Sequence, residues 1–469
     1  MASRRRPHPH CIADVQATPD IMTGRGGLNL FTRYLRGIDL CPHVERVLGP
    51  MRKNRKGAPI QELFKQVMSF FFDGTSRHLS HFDILAKDHG HAAIIESSPS
   101  AMVSTDTVRR FFNAFSWRRT ACLRLLLMKL FLWRLNIEKP KAVILGLDTM
   151  VMDNDEAQKR QGVKPTYKKV RGFQPLQMTW GRYIVDAIFR PGDAHSNHGN
   201  DAIKILRHAV RMIRKHYSPD VPIIIRLDSG FCDQKLFAGL EAIGVGYICG
   251  GKFQADIKKF VDTIPESAYQ NYYGKTDEDV WQYLEFGDKR ASWSCFRRAV
   301  FWRHLLEEKQ FLLPCCRPGT FVYTNLGMGK AGGKIDATLR QAGLEFMSHP
   351  EMVIQSYHSR GADELVHRAF KDFGSEEMPF TRFEPNRAFY HLMLVAFFLF
   401  ESFKEDVTSP VIPVCAFATT LRRTLVDVAA KIVSHSKRLV LKLTTPTLEA
   451  LQFKDLWIRA LNVPIFRWA

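Results

Sequence analysis

Hydrophobic residues in the first third of the chain recur with a helical period. From Leu28 to about Leu135 the spacing is mostly that of amphipathic helices, and Gln61 to Phe72 follows an i, i+1, i+4, i+5 pattern. The residues Ser104-Thr105-Asp106 can cap the first turn of a further helix. We therefore predict a helical domain over residues 28–138, preceded by a poorly ordered basic segment at 1–27.

The pattern becomes that of an α/β sheet after Pro140. Short apolar runs bounded by turn residues predict strands, and the amphipathic segments between them predict helices. The predicted strands are Lys141–Asp148, Phe173–Trp180, Tyr183–Phe189, Val221–Leu227 and Val245–Cys249, and the predicted helices are Asp201–His216 and Gln234–Ile243. A hairpin around Gly181-Arg182, followed by crossover helices, predicts a mixed sheet over residues 139–251.

The second half of the chain is predicted to add a β-rich segment and then helices. Three runs with alternating aromatic residues are typical of strands: Asp279–Phe286, Arg297–His304 and Thr320–Leu326. They indicate a β-rich insertion over residues 252–338. Helical periodicity then resumes, which predicts a second part of the core at 339–404 and a C-terminal helical region at 405–469.

Composition and charge narrow the class of protein. The 469 residues include 67 Lys and Arg against 47 Asp and Glu, a formal net charge of +20 that favours a polyanionic partner such as nucleic acid. Nine cysteines without a CxxC pattern argue against a disulfide framework or a structural zinc site and favour a reducing cytoplasm. The apolar run Ala388–Phe400 is too short to span a bilayer, so we expect a buried helix and no membrane association.

A group of polar residues shares one side of a predicted helix. If Tyr357 to Lys371 is a single helix, then Tyr357, Arg360, Glu364 and Lys371 fall within a stripe about 60° wide, opposite an apolar face. We call these four residues the stripe. A solvated helix face with spaced charges would give the same pattern, so the stripe alone does not establish a site.

Two aspartates at predicted strand ends add to the stripe. Asp148 closes the first core strand, and Asp228 closes the fourth. Each could be a cap or turn residue, but sites in open α/β sheets gather where strand ends meet loops. Together with Glu364 these carboxylates would repel one another, and a divalent cation such as Mg²⁺ removes that conflict. Asp153 and Asp155 lie close to Asp148 in the chain, but in a polar loop.

The spacing of the stripe resembles a known signature. The pattern Y-x2-R-x3-E-x6-K, met by Tyr357, Arg360, Glu364 and Lys371, is similar to the YREK motif of DDE transposases from bacterial insertion sequences. Further segments look like blocks of that family: LGLDT at 145–149, RLDSGF at 226–231, RPGDAHS at 190–196 and FVYTNL at 321–326. The β-rich stretch also resembles the insertion that these enzymes carry before the glutamate.

This resemblance implies an RNase H-like catalytic core and cut-and-paste transposition. Asp148, Asp228 and Glu364 would bind two Mg²⁺ ions, for which Mn²⁺ could substitute, while Tyr357, Arg360 and Lys371 would hold DNA phosphates. The enzyme would act as a homodimer on the terminal inverted repeats and on target DNA, in the bacterial cytoplasm at the nucleoid. For the tryptophan that some relatives place on a flipped base, the candidates are Trp281, Trp293 and Trp302, each of which could instead pack on the sheet.

Two other functions fit the same residues. A metal-dependent nuclease on an RNase H-like fold would cut DNA without joining it. A transposase-derived protein that only binds DNA would need no catalytic carboxylates, so the presence of the three carboxylates disfavours it.

Overall fold

The N-terminal region of the chain is helical. The computed structural model describes residues 12, 14–51, 57–196, 198–273, 280–305, 319–436 and 438–467. After a short strand β1 (Ile21–Thr23), seven helices follow: α1 (Leu28–Gly37), α2 (Cys41–Leu48), α3 (Ile60–Asp73), α4 (Phe82–Leu85), α5 (His89–Ile94), α6 (Thr105–Asn113) and α7 (Trp117–Glu138). The Ser104 hydroxyl accepts from the Thr107 N–H at 3.4 Å, which confirms the predicted cap of α6.

The central region alternates strands and helices, as the sequence predicts. Its elements are β2 (Val143–Thr149), β3 (Met152–Asp153), β4 (Lys164–Pro165), β5 (Arg171–Phe173), β6 (Leu176–Trp180), β7 (Tyr183–Ile188), α8 (Asp201–His216), β8 (Ile223–Leu227), α9 (Gln234–Ala242) and β9 (Gly246–Gly250). Strands β6 and β7 form the expected hairpin, and Gly181 in its turn has a φ of 55°. Strands β3, β5 and β4 form a small separate sheet.

The strands after β9 extend the same central sheet. The elements are α10 (Ala255–Thr263), β10 (Gln270–Tyr273), β11 (Val280–Asp288), β12 (Arg297–His304) and β13 (Thr320–Thr324); Asp279 of the predicted strand lies outside the described residues. Strand β13 pairs antiparallel with β9, with Tyr323 opposite Cys249. The described strands form a nine-stranded mixed sheet in the order β10-β11-β12-β13-β9-β8-β2-β6-β7. The predicted mixed α/β class is confirmed.

Helices complete the core behind the sheet. They are α11 (Ile335–Gln341), α12 (Pro350–His358), α13 (Gly361–Phe373) and α14 (Phe383–Phe403). Helix α14 is buried almost throughout, as predicted for Ala388–Phe400, and Phe370 and Phe373 of α13 pack on Phe397. Within the described ranges, no helix is long and apolar enough to cross a membrane.

The C-terminal region combines helices with a hairpin. Its elements are α15 (Ala418–Leu421), β14 (Ala430–His435), β15 (Arg438–Lys442), α16 (Thr445–Ala450) and α17 (Phe453–Arg459). The hairpin of β14 and β15 was not expected from the helical pattern, and β1 pairs with β14 through Met22 opposite Lys431. Part of the segment predicted to be poorly ordered therefore forms a strand, because its partner comes from the other end of the chain.

Candidate active site

The two predicted aspartates lie at the carboxyl ends of neighbouring strands. Strands β2 and β8 pair in parallel with Leu147 opposite Leu227, and the residues that follow these two are Asp148 and Asp228. Neighbouring strands are about 4.8 Å apart, which places the two carboxylates side by side. Asp148 is the penultimate residue of β2, and Asp228 caps the turn that follows β8 by accepting from the Gly230 N–H at 2.9 Å.

These two aspartates, which we call the carboxylate pair, repel each other when both are ionised. Burial, followed by the negative charge of Asp228, raises the pKa of Asp148 to about 7. Burial also raises the pKa of Asp228, although the Gly230 N–H favours its ionised form. A positive group placed between the two would stabilise their ionised forms.

Arg360 connects the carboxylate pair to Glu364. Its Nη1 lies 3.6 Å from Asp148 Oδ2, and its Nη2 lies 3.4 Å from Glu364 Oε1. Glu364 is in the first turn of α13, and its side chain is 65% exposed. Arg360 therefore pairs with two of the three carboxylates that the sequence selected, Asp148 and Glu364.

The prediction of one continuous helix from Tyr357 to Lys371 is wrong. Helix α12 ends at His358 and α13 begins at Gly361. The Arg360 N–H donates to the Tyr357 carbonyl at 2.9 Å, which tightens the turn, and Ser359 Oγ donates to the Gln355 carbonyl at 2.9 Å. Glycine is a poor helix former, and serine competes for backbone hydrogen bonds, so Ser359-Arg360-Gly361 is a natural place for a break.

Tyr357 nevertheless reaches the site from the end of α12. The Arg360 guanidinium carbon lies 5.7 Å from the centroid of its ring, and Trp302 packs against the same ring edge to face at 5.7 Å. Its hydroxyl lies so close to Gly250 that a Cβ atom there would collide with it. This close approach places the phenol at the end of β9, next to the strand that carries Asp228.

Lys371 is the one member of the stripe with a different partner. Its Nζ forms an ion pair with Glu376 Oε2 at 2.6 Å, and Glu376 also accepts from the Asp153 N–H at 3.3 Å. To bind a phosphate, Lys371 would have to exchange this carboxylate for the ligand. The structure thus brings Tyr357, Arg360 and Glu364 together, and places Lys371 at the far end of α13.

A buried ion pair that the sequence did not reveal supports the site. Arg226 Nη2 donates to Asp363 Oδ1 at 3.0 Å, and the Thr179 hydroxyl donates to the same oxygen at 3.2 Å. The Asp363 side chain is 4% exposed, and Gly146 lies against it so closely that a Cβ atom would collide. Three strands of the sheet therefore hold the residue that precedes Glu364. The only signal in the sequence was that Asp363 adjoins the motif.

The tryptophan candidates are engaged in packing. Trp293 is 8% exposed and packs on Tyr323, while Trp302 is 2% exposed and packs on Tyr357 and His358. Trp281 packs edge to face on His304 and also contacts His358. These contacts agree with the sheet-packing interpretation.

The residues of the site partly fit a divalent cation. The carboxylate pair supplies oxygen ligands of the kind that Mg²⁺ prefers, in a place where their own charges repel. In the part of the chain that the structure describes, no three Asp, Glu, His or Cys side chains are grouped closely enough to hold a metal ion together. Glu364 contacts Arg360, so its carboxylate would have to turn to become a third ligand.

Comparison with known proteins decides the family. The family model described as Transposase DDE domain group 1 matches residues 12–462. The chain belongs to this family. The protein is thus a DNA transposase, an enzyme that acts on DNA, and the DDE resemblance of the sequence is confirmed.

Other comparisons add little to this assignment. No curated protein matches the transposase. One solved structure that it resembles is a piggyBac transposase synaptic complex with hairpin DNA, at 9% identity over 85% of this chain and 84% of that one, with a TM-score of 0.31. A likeness at this level carries no argument about the site.

Proposed function

We propose that this transposase cuts DNA at the ends of an insertion sequence and joins the freed 3′-hydroxyl ends to target DNA. The catalytic residues are Asp148, Asp228 and Glu364, which would bind two Mg²⁺ ions, with Mn²⁺ able to substitute. The observation that carries this proposal is the carboxylate pair at the ends of adjacent parallel strands, linked by Arg360 to Glu364. A bound metal would activate water or a 3′-hydroxyl and stabilise the leaving oxygen.

The cations of the site have a second role in this proposal. Arg360 now spans Asp148 and Glu364, and a guanidinium group also binds phosphate in a bidentate manner. When Arg360 turns to a DNA phosphate, it leaves both carboxylates free for the cation. Tyr357 lies under the guanidinium and limits where it can turn, and Lys371 would bind a phosphate further along α13.

The partner proposed for this site is double-stranded DNA. The net charge of +20 suits a polyanion, and the proposed substrates are the terminal inverted repeats and the target DNA. We further propose that the protein assembles on DNA as a homodimer, at the bacterial nucleoid in the cytoplasm. Because transposition brings two DNA ends together, each of two copies of the chain would supply one carboxylate pair.

The carboxylates are tested by conservative substitution. Asp148→Asn, Asp228→Asn and Glu364→Gln should each abolish cleavage of DNA taken from the borders of the gene, while binding stays close to that of the wild type. Each change removes a metal ligand but leaves the basic surface intact. The control is Asp153→Asn, an exposed carboxylate at the end of β3, which should cleave normally. Normal cleavage by Asp148→Asn would remove that residue from the proposed site.

The metal is tested in the same assay. Cleavage should require Mg²⁺ or Mn²⁺ and should fail in Ca²⁺, whose looser coordination supports binding more readily than in-line displacement. Full cleavage in excess EDTA would contradict the mechanism. Joined products separate a transposase from a nuclease, and the absence of any cleavage by the wild type would favour the DNA-binding protein without catalysis.

A further inference from the structure

A hairpin that the sequence motifs do not include follows closely after the strand that carries Asp148. Strands β4 and β5 pair through Lys164 opposite Gly172, and their connection is closed by hydrogen bonds between Thr166 and Val170. The Thr166 N–H and hydroxyl donate to the Val170 carbonyl at 2.9 and 2.8 Å. Inside this closure the Lys169 N–H donates to the Thr166 carbonyl at 3.0 Å, so Tyr167 and Lys168 are the two central residues of a tight turn, which we call the Tyr167 turn.

The base of this hairpin is fixed to β3, the strand that follows the one that carries Asp148. Strand β5 also pairs with β3, which begins at Met152, three residues after β2 ends. Gly172 lies so close to the Met152 carbonyl that no side chain would fit there. Phe173 is fully buried and packs on Phe189 with ring centroids 4.7 Å apart. The turn is thus held in place relative to the carboxylate pair.

The side chains of the turn are presented toward the site. Tyr167 is 63% exposed, yet partial loss of water and then the charges of Asp148, Asp228 and Glu364 raise the pKa of its hydroxyl. The influence of these three charges agrees with the position of the turn, on a hairpin paired with the segment that directly follows β2. A large aromatic ring that is left exposed beside a charged site has little packing energy to justify its position.

Lys168 gives the turn a positive charge that the protein itself does not neutralise. Its Nζ lies 5.9 Å from the centroid of the Tyr167 ring, and within the described ranges Lys168 forms no ion pair. His367 of α13 has a buried Nε2 without a hydrogen-bond partner among the described residues. Burial and the charges of Lys371, Arg360 and Lys168 lower the pKa of His367 to about 4, which agrees with positive charge gathered around this part of α13.

We propose that the Tyr167 turn binds the DNA strand that crosses the carboxylate pair, with Tyr167 stacked on an unpaired base and Lys168 on the adjacent phosphate. An aromatic ring next to a free ammonium group matches the alternation of base and phosphate along a strand. The described tryptophans of the inserted strands are engaged in packing, so Tyr167 is the exposed ring at the site. This inference rests on the proposed function, and Tyr167 acts in it as a positioning residue.

The test measures binding without cleavage. The full-length protein is titrated in EDTA with a duplex from the border of the gene that carries a single-stranded tail containing 2-aminopurine, and with the matching blunt duplex. Wild type and Tyr167→Phe should quench the fluorescence of the tail, since stacking needs the ring and not the hydroxyl. Tyr167→Ala should lose the quenching and bind the tailed duplex about tenfold more weakly, with less effect on the blunt duplex.

Two further variants sharpen the result. Lys168→Ala should reduce the salt dependence of binding by about one counterion. The matched control is Tyr273→Ala, an exposed tyrosine on the edge strand β10, which should behave as the wild type. Unchanged quenching and affinity in Tyr167→Ala would overturn this inference while leaving the carboxylates untouched. Cleavage by Asp148→Asn would instead contradict the proposed function, which the EDTA measurement does not probe.

Discussion

Arg226 on β8 and Asp363 on α13 form a buried ion pair, with Nη2 and Oδ1 3.0 Å apart. Asp363 is the residue before Glu364, so the pair fixes the rotation of α13 over the sheet. The Arg226 and Asp363 side chains are 10% and 4% exposed. The two charges are thus paired inside the protein, whereas the Glu364 side chain is 65% exposed.

Breaking this pair should destabilise the protein. Asp363→Asn leaves the guanidinium of Arg226 buried without its counter-charge, and we expect a loss of about 3 kcal/mol in the free energy of unfolding. The measurement is chemical denaturation, with Asp153→Asn as an exposed control. The double variant Arg226→Met with Asp363→Leu should recover most of the loss, because it removes both charges. Equal stability of Asp363→Asn and the wild type would show that α13 is held by other contacts.

Arg360→Ala should weaken both binding and cleavage. The guanidinium is proposed to bind a phosphate, so its loss should lower the slope of binding against salt by about one counterion. A misplaced phosphate also loses its in-line geometry, so cleavage should fall by about tenfold or more. Arg360→Lys should have the salt dependence of binding of the wild type but a lower cleavage rate, because an ammonium group cannot bind a phosphate in a bidentate manner. A purely structural arginine would leave the salt slope unchanged.

The ion pair with Glu376 should limit how strongly Lys371 binds DNA. Glu376→Gln releases the Nζ from its ion pair, and we expect end DNA to bind more tightly, with a steeper salt dependence. Lys371→Ala should have the opposite effect. If Lys371 only anchors Glu376, both changes would leave DNA binding alone and would affect only stability, by about 0.5 kcal/mol. Titrations at several salt concentrations distinguish the two roles.

The carboxylate pair should make stability depend on pH when metal is absent. The pKa of Asp148 is raised to about 7, above its value near 4 in an unfolded chain, so the folded protein holds this proton more tightly. The stabilisation is complete below about pH 4 and is lost as the pH rises to about 7. In EDTA, the free energy of unfolding of Asp148→Asn should therefore rise relative to that of the wild type by about 2 kcal/mol between pH 5 and pH 8. Thermal unfolding of both proteins checks this, and a constant difference would contradict it.

Several parts of the site follow directly from the sequence. Strands β2 and β8 are apolar runs, bounded by Pro140 and by the turn after Asp228. Both strands and the positions of their carboxyl ends can therefore be predicted from the sequence. Two parallel neighbours then bring their terminal aspartates together without further information. Most of the mixed sheet was predictable for the same reason, since its strands are short, self-contained patterns; the edge strand β10 was not predicted.

Other parts depend on contacts that no local pattern contains. The break at Ser359-Arg360 keeps the stripe residues roughly in phase, so periodicity alone could not show it. Asp363 is buried because Arg226 lies 137 residues earlier in the chain. The position of Tyr167 depends on strand β5 pairing with β3, and neither of these strands exceeds three residues.

The break between α12 and α13 also divides the site mechanically. Tyr357 belongs to a helix that packs on the inserted strands through Trp302, whereas Glu364 belongs to a helix that packs on α14 through Phe370. The two residues therefore depend on different parts of the core, the phenol on the packing of the inserted strands and the carboxylate on the packing of α14. Arg360 lies in the turn between the two helices and contacts both Tyr357 and Glu364. The position of its guanidinium group thus depends on both parts of the core at once.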